Sequence, residues 1–505
     1  MNVQRGFASF NWIVVVAWVC IALTCAAQAA RPCRPNVIFI LADDLGYGDT
    51  GVTWQSARAE GLPRISTPNL DRLAREGAVM PNHYCAAPVC APSRASILTG
   101  RVQGECSLRD NCFDRAFSET NTLGTVMRDA GYATWAVGKW GIAGGGESKQ
   151  PVTSHPLDRG FDYFYGFLDH LAGHTYYHYE GHIRHAFMGI TENRTNATES
   201  AKGIYSTDLF AAKTKQLISD HLARSPEQPF FLYLAVNVVH GSGQCGDDLS
   251  CKKPLHVPGR PYPTEGVSWP LAPEPVDARN TWINPAYTNL PPSAARYATA
   301  ITRMDDAIGD IVRHLERNGI ARDTLIVFTS DNGPADEYGA DPRTFGSAGP
   351  FDGLKRDVFE GGMRVPALIH WPAKVPSGAV DATPSQAHAW KDFLAAAAEG
   401  RYEPMKSLVY TRYEFPWNGA TEAFREFKAR KGKVRGLQQM VRVGDYVALR
   451  VRMREGGAKV RLYNVVADPF QEQDLADAPE QRTRLAEMTK MLDDRQSGEG
   501  MRPAP

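Results

Sequence analysis

The sequence predicts an α/β protein built on one large, mostly parallel sheet flanked by helices, followed by a small C-terminal antiparallel-sheet subdomain. Three observations carry that expectation. Four apolar runs, 36–41, 133–137, 230–237 and 324–329, show no polar alternation, the pattern of strands buried on both faces of a parallel sheet. Segments of helical period separate them. Near the C-terminus, 441–450 and 459–463 read as paired antiparallel strands, with a turn at Asp468-Pro469 and a terminal helix over 479–494. A chain of 505 residues suits one large domain and a smaller one.

The chain starts with a single cation, Arg5, an apolar run over 12–27 and a small-x-small step at Ala27-Gln28-Ala29. That is the pattern of a secretory signal over residues 1–29, and the run is shorter than the roughly 20 apolar residues a spanning helix needs. Cys25 follows Leu23-Thr24, a poor lipoprotein box. The expected location is outside the cytoplasm, secreted, periplasmic or lysosome-like, with no stable membrane span. Lysine plus arginine balance aspartate plus glutamate at 56 each, so no global field points to nucleic acid. Any preference for anions must be local.

The first apolar run ends at Asp43-Asp44. Two adjacent carboxylates at the end of a buried strand repel one another, and a cation is the natural reason to keep them together. A helix with a first-turn proline follows over 67–74, closed by Gly77. Next comes Cys90-Ala91-Pro92-Ser93-Arg94, which reads as a reactive turn opening a helix. Pro92 suits a first helical position, and free amides with Arg94 would make an electropositive niche around Cys90. A helix over 123–130 leads to the second strand, which delivers Lys139. The third strand leads to His240 and the fourth to Asp331-Asn332. A long amphipathic helix is expected over 294–318. The polar, proline-rich stretch 241–292 is too long for an ordinary connection and reads as a functional rim, and 372–384 reads as a linker.

The run from Cys90 to Arg101, Cys-Ala-Pro-Ser-Arg-Ala-Ser-Ile-Leu-Thr-Gly-Arg, closely resembles the sulfatase signature at every signature position. Residues 35–46 are similar to that family's opening, and the resemblance extends over roughly 34–478. It implies an alkaline-phosphatase-like mixed sheet, with a catalytic domain over 34–378 and a small α+β subdomain over 405–505. It also implies a secreted enzyme that hydrolyses sulfate esters of carbohydrates or aryl groups. In the family the cysteine is converted to formylglycine by a formylglycine-generating enzyme, and the hydrated aldehyde attacks sulfur. Asp43, Asp44, Asp331 and Asn332 match the metal ligands, with residue 90 completing the sphere. Hard oxygen donors fit calcium or magnesium, and the resemblance implies calcium first. Arg94, Lys139 and Lys355 match cations that neutralise sulfate, and His240 is the candidate general acid with Lys355 second.

The chain departs from the family at Gly138-Lys139-Trp140-Gly141, where a histidine usually stands at position 141. His174 is the candidate to fill that space, while His170 and His178 read as surface loop. The three histidines lack a tight zinc-ligand spacing. Residues 161–167 resemble a substrate-pocket segment. With Cys90 modified, six cysteines remain after signal removal. Cys106 with Cys112 and Cys245 with Cys251 suit local disulfides, leaving Cys33 with Cys85, although sequence does not fix connectivity. Asn193 and Asn196 begin glycosylation sequons. Two alternative functions stand beside the sulfatase reading: a phosphodiesterase or phosphonate hydrolase of the same superfamily, and a non-catalytic binder of sulfated glycans.

Overall fold

The computed structural model describes residues 34–498 except 110, 112–114, 146–150, 171, 175, 177–188, 202–203, 241–255, 258–275, 278–282, 337–341, 415–435 and 454–457. The expected signal segment, the rim, His178, Cys33, Cys112, Cys245 and Cys251 therefore lie wholly or largely outside the described residues. Among those described, no helix is long and apolar enough to cross a membrane.

Ten strands form the main sheet: β1 (Asn36–Ala42), β2 (Ala78–Val79), β3 (Ala133–Lys139), β4 (Tyr163–Phe167), β5 (Ile190–Glu192), β6 (Thr195–Asn196), β7 (Phe230–Ala235), β8 (Thr324–Ser330), β9 (Ala367–His370) and β10 (Ala379–Val380). Their spatial order is β10-β2-β9-β8-β1-β7-β3-β4-β5-β6. The five central strands from β8 to β4 run parallel, and antiparallel pairings begin at β9 on one side and β5 on the other. The sheet is thus mixed and mostly parallel.

Both faces are covered, which explains the absence of alternation in the central strands. Along β1, Val37, Phe39 and Leu41 enter one apolar layer, while Ile38, Ile40 and Ala42 enter the other. Helices α1 (Pro68–Glu76), α4 (Ser206–Arg224) and α5 (Pro292–Arg317) pack on the second face through Leu73, Leu209 and Ile301. Helices α2 (Cys90–Thr99), α3 (Leu123–Asp129) and α6 (Trp390–Ala398) cover the first through Ile97, Met127 and Leu394. Two expectations change here. Part of the expected linker, Ala379–Val380, is an edge strand of the main sheet, and α6 beyond it packs into the same core. The segment 161–167, expected from the resemblance to belong to a substrate pocket, is mostly strand β4, its ladder to β3 placing Phe164, Tyr165 and Phe167 in the sheet core.

The second sheet holds β11 (Val409–Glu414), β12 (Leu437–Val443), β13 (Tyr446–Arg450) and β14 (Arg461–Asn464), all antiparallel, against terminal helix α7 (Arg482–Gly498). Strand β11 had no counterpart in the sequence reading.

Candidate active site

The parallel strands deliver their polar residues to one end of the sheet, where an open α/β fold places its ligand crevice. Asp43 and Asp44 follow β1, Lys139 ends β3, His240 lies five residues past β7, and Asp331-Asn332 follow β8. Backbone bonds continue the ladder past the strand ends: Asp331 N–H donates to Ala42 at 3.0 Å and Asp43 N–H to Val238 at 2.7 Å. Gly138 carries φ +105°, and a Cβ there would sit 2.0 Å from the Ala235 carbonyl oxygen, so only glycine lets β3 approach β7 just before Lys139. Asp44 adopts φ +62°, an uncommon state for a non-glycine residue and of the kind concentrated at functional sites.

Cys90 is the first residue of α2 and 1% exposed. The helix begins two residues earlier than Pro92 would place it, so that proline occupies the third helical position. Burial raises the Cys90 thiol above its ordinary value although Lys139 and Lys355 pull it down, so the niche does not yield a ready thiolate. Arg94, one turn on, bridges two elements. Its Nε donates to Asp331 Oδ2 at 2.9 Å, with Nη2 in ion-pair contact 2.8 Å from the same oxygen, and Nη1 donates to the Lys139 carbonyl at 2.7 Å. Lys139 Nζ lies 2.5 Å from Asp43 Oδ2, and Lys355 Nζ is 2.7 and 2.8 Å from the two Asp44 oxygens.

Three buried carboxylates therefore meet three buried cations. Burial alone would raise Asp43, but Lys139, Arg94 and Lys355 outweigh it and hold the group at about 2. Asp331 moves the other way, pushed up to about 7 by burial and by Asp43 beside it. Burial, helped by Asp43, also raises Asp44 despite Lys355. Asp43 Oδ1 and Asn332 Oδ1 are buried without a hydrogen-bond partner. Orphaned hard oxygens among crowded carboxylates are the donor set of a calcium or magnesium site, and the residues fit that group. Asp43, Asp331 and Cys90 bring ligand-type atoms within 4.8 Å of one another, as do Asp43, Asp44 and His240.

A row of imidazoles forms the facing wall. His174 stacks on His240 at 3.9 Å between ring centroids, and His170 meets His174 edge-on at 4.6 Å. His240 Nε2 lies 3.6 Å from Asp44 Oδ2 and 3.4 Å from Lys355 Nζ. Burial drives all three histidines well below their ordinary value, with nearby cations or histidines adding to it, so they are neutral near pH 7. His170 corrects the surface-loop expectation, since it is only 2% exposed. A Cβ at Gly141 would lie 3.7 Å from His170 Nδ1 and 3.6 Å from Lys139 Cε, so His170 borders the space at position 141 directly. Gly173 comes back against the Lys139 side chain, an approach the sequence did not disclose. Sequence reasoning also missed Asn111, whose Oδ1 is 3.5 Å from Cys90 Sγ, and Tyr413, which packs on Cys90 from the second sheet.

Cys85, Cys90 and Cys106 are free thiols among the described residues. The expected partners of Cys85 and Cys106 fall outside them.

Comparison with known proteins identifies the family. The Sulfatase family model matches residues 35–398. Arylsulfatase J of Mus musculus is 30% identical over 79% of this chain and 58% of its own length. N-acetylgalactosamine-6-sulfatase of Homo sapiens is 30% identical over 70% of this chain and 60% of its own. The chain thus spans about three fifths of the length of these relatives. Among solved structures, Ps i-CgsB in complex with k-i-k-neocarrahexaose superposes with a TM-score of 0.68 at 24% identity, covering 93% of this chain and 94% of that one. A protein solved with its substrate D-glucosamine-2-N,6-O-disulfate gives 0.62 at 19% identity, covering 92% and 98%.

Proposed function

Because the chain belongs to the sulfatase family, we propose that it hydrolyses sulfate esters, with sulfated carbohydrate or aryl sulfate as substrate. The carrying observation is that Asp43, Asp44, Asp331 and Asn332 meet Arg94, Lys139 and Lys355 in one buried cluster around Cys90. Relatives and structural neighbours named for sulfated substrates support the substrate class.

Residue 90, converted to formylglycine by a maturation enzyme, would supply a nucleophilic hydroxyl. Asp43, Asp44, Asp331 and Asn332 would hold a divalent cation, calcium by analogy with the family, which would supply positive charge toward a sulfate oxygen. Arg94 holds the Asp331 carboxylate and the end of β3 in fixed relation, since its donors go to both. Lys139 and Lys355 neutralise the anion so that an oxygen nucleophile can approach it. The proton for the leaving oxygen is assigned to the His240–Lys355 pair. His240 is held neutral by burial, so the ammonium 3.4 Å from its Nε2 is the charged member that restores the proton. His174, stacked on His240, orients that ring. The expected location is secreted, periplasmic or lysosome-like after removal of residues 1–29.

A panel of p-nitrophenyl sulfate and defined sulfated oligosaccharides, run beside the matching phosphate esters and phosphonates, tests the reading. Turnover of sulfate esters above the others is expected. Preferred phosphonate turnover, or no turnover by protein whose residue 90 is fully formylglycine, would overturn it.

A further inference from the structure

We infer that Asn111 is a residue of the reacting site, which holds one hydroxyl of the modified residue 90 and keeps that residue hydrated. The inference rests on the formylglycine reading above and extends it to a group outside the family signature.

Asn111 Oδ1 is 3.5 Å from Cys90 Sγ, and Asn111 is 2% exposed. A buried amide oxygen facing the reactive atom is an acceptor looking for a donor. A thiol serves it weakly, whereas a hydroxyl serves it well. Two residues before Asn111 the chain is tied to the second sheet. Gln103 donates from Nε2 to the Arg109 carbonyl at 2.8 Å, and its Oε1 accepts from Arg412 N–H at 3.1 Å, linking Arg109 to strand β11. The next residue of that strand, Tyr413, packs against Val89 and Cys90. Residue 90 is thus flanked by the carboxylate cluster on one side, an apolar ring below, and one amide oxygen.

The chemistry follows from hydration. Water adds across the aldehyde C=O: its oxygen bonds to carbon, one hydrogen goes to the former carbonyl oxygen, and two geminal hydroxyls result with no change in oxidation state. The free aldehyde has no O–H to give Asn111, but the hydrate has two. An acceptor at this position therefore favours the hydrate over the aldehyde by one hydrogen bond. It also makes the two hydroxyls inequivalent, one turned to the amide and the other left to the carboxylate side.

Labelling of purified, formylglycine-containing protein with a fluorescent hydrazide, which reacts with free aldehyde only, reads this directly. Asn111→Leu, similar in volume and without an acceptor, is expected to label on the order of tenfold faster than wild type, the worth of one hydrogen bond, with kcat on p-nitrophenyl sulfate reduced. Asn111→Asp keeps the acceptor but adds negative charge beside an anionic substrate. It should label as slowly as wild type while KM rises. Conversion at residue 90 is measured by mass in each protein, so that labelling is compared per aldehyde. Equal labelling rates and unchanged kcat in Asn111→Leu would overturn the inference while sulfate turnover by wild type keeps the functional reading. If Asn111→Leu does not fold, fast labelling by Asn111→Asp overturns the inference by itself. A wild type whose residue 90 remains a thiol while it turns over sulfate esters overturns the inference together with the formylglycine assignment it rests on, and leaves sulfate-ester hydrolysis standing.

Discussion

Gly173 sits where one added methyl group would move Lys139, which makes Gly173→Ala a measured displacement of a site cation. Its φ is not in the left-handed region, so alanine costs nothing in the backbone. The new Cβ would lie 2.8 Å from Lys139 Cγ and Cδ, whereas ordinary contact begins at 3.4 Å, so the lysine must retreat by about 0.6 Å. Its ammonium is 2.5 Å from Asp43 Oδ2 and fully buried. If the retreat is transmitted to Nζ, the separation grows to roughly 3.1 Å. At an effective dielectric of about 20, the Coulomb attraction falls by about 1.3 kcal/mol. A similar loss toward an anionic substrate is close to a factor of ten in rate. The assay is kcat/KM for p-nitrophenyl sulfate, with far-ultraviolet circular dichroism to confirm an intact fold. A Gly173→Ala protein within twofold of wild type would refute the argument that Lys139 must hold this position.

Asp331→Ala removes one of three carboxylates from the cluster and should lose bound metal, measured by plasma emission, together with turnover; retention of both would refute the ligand assignment. His174→Ala, which leaves the stacked His240 ring unsupported, should lower kcat on p-nitrophenyl sulfate by about 10–100-fold, and an unchanged kcat would refute that orienting role. His170→Ala should lower kcat by a smaller factor, and Gly141→His should be impaired alone, because φ is +71° there and His170 borders the space, yet recover part of its loss in combination with His170→Ala; an unimpaired Gly141→His would refute that competition. His83 is held at about 3 by burial, with Trp390 donating to its Nε2 at 3.1 Å. A folded value below the unfolded 6.5 gives stability that is full above pH 6.5 and lost as pH falls toward 3, about 2 kcal/mol by pH 5. The drop in unfolding free energy from pH 7.5 to 5, measured with urea, should therefore shrink by that amount in His83→Gln, and an unchanged drop would refute it.

The parallel core was legible because burial on both faces removes polar residues from β1, β3, β7 and β8, and the first polar residue after each run then stands out. Asp43, Lys139 and Asp331 stood out in this way. His170 did not, because nothing in its local sequence states that it borders position 141 or that Gly173 lies against Lys139; Gly173, which permits the close contact, looks like any loop glycine. Ala379–Val380 was misread for a related reason. A two-residue edge strand has too little length to show a period, and it forms only because Ala78–Val79 offers a free edge. Pro92 misplaced the start of α2 by two residues, since proline is tolerated throughout the first turn, where no intrahelical donor is required.

The second sheet was legible as strands but not as part of the site, and its register explains why that matters. Tyr413 of β11 lies opposite Gln438 of β12. Tyr413 packs beneath Cys90, while Gln438 donates from Nε2 to the Arg356 carbonyl at 2.9 Å and accepts from Val358 N–H at 3.4 Å, gripping the loop that carries Lys355. One cross-strand pair therefore touches both the nucleophile position and the backbone just after Lys355. Side chains alternate along a strand, so a slip of one residue would replace Tyr413 with the neighbouring Arg412 or Glu414 on the face that meets Cys90. Such a slip would bring a charge into a pocket that already balances three carboxylates against three cations. The docking of β11 and β12 is thus a condition on the electrostatics of residue 90, imposed from more than 300 positions away in the chain.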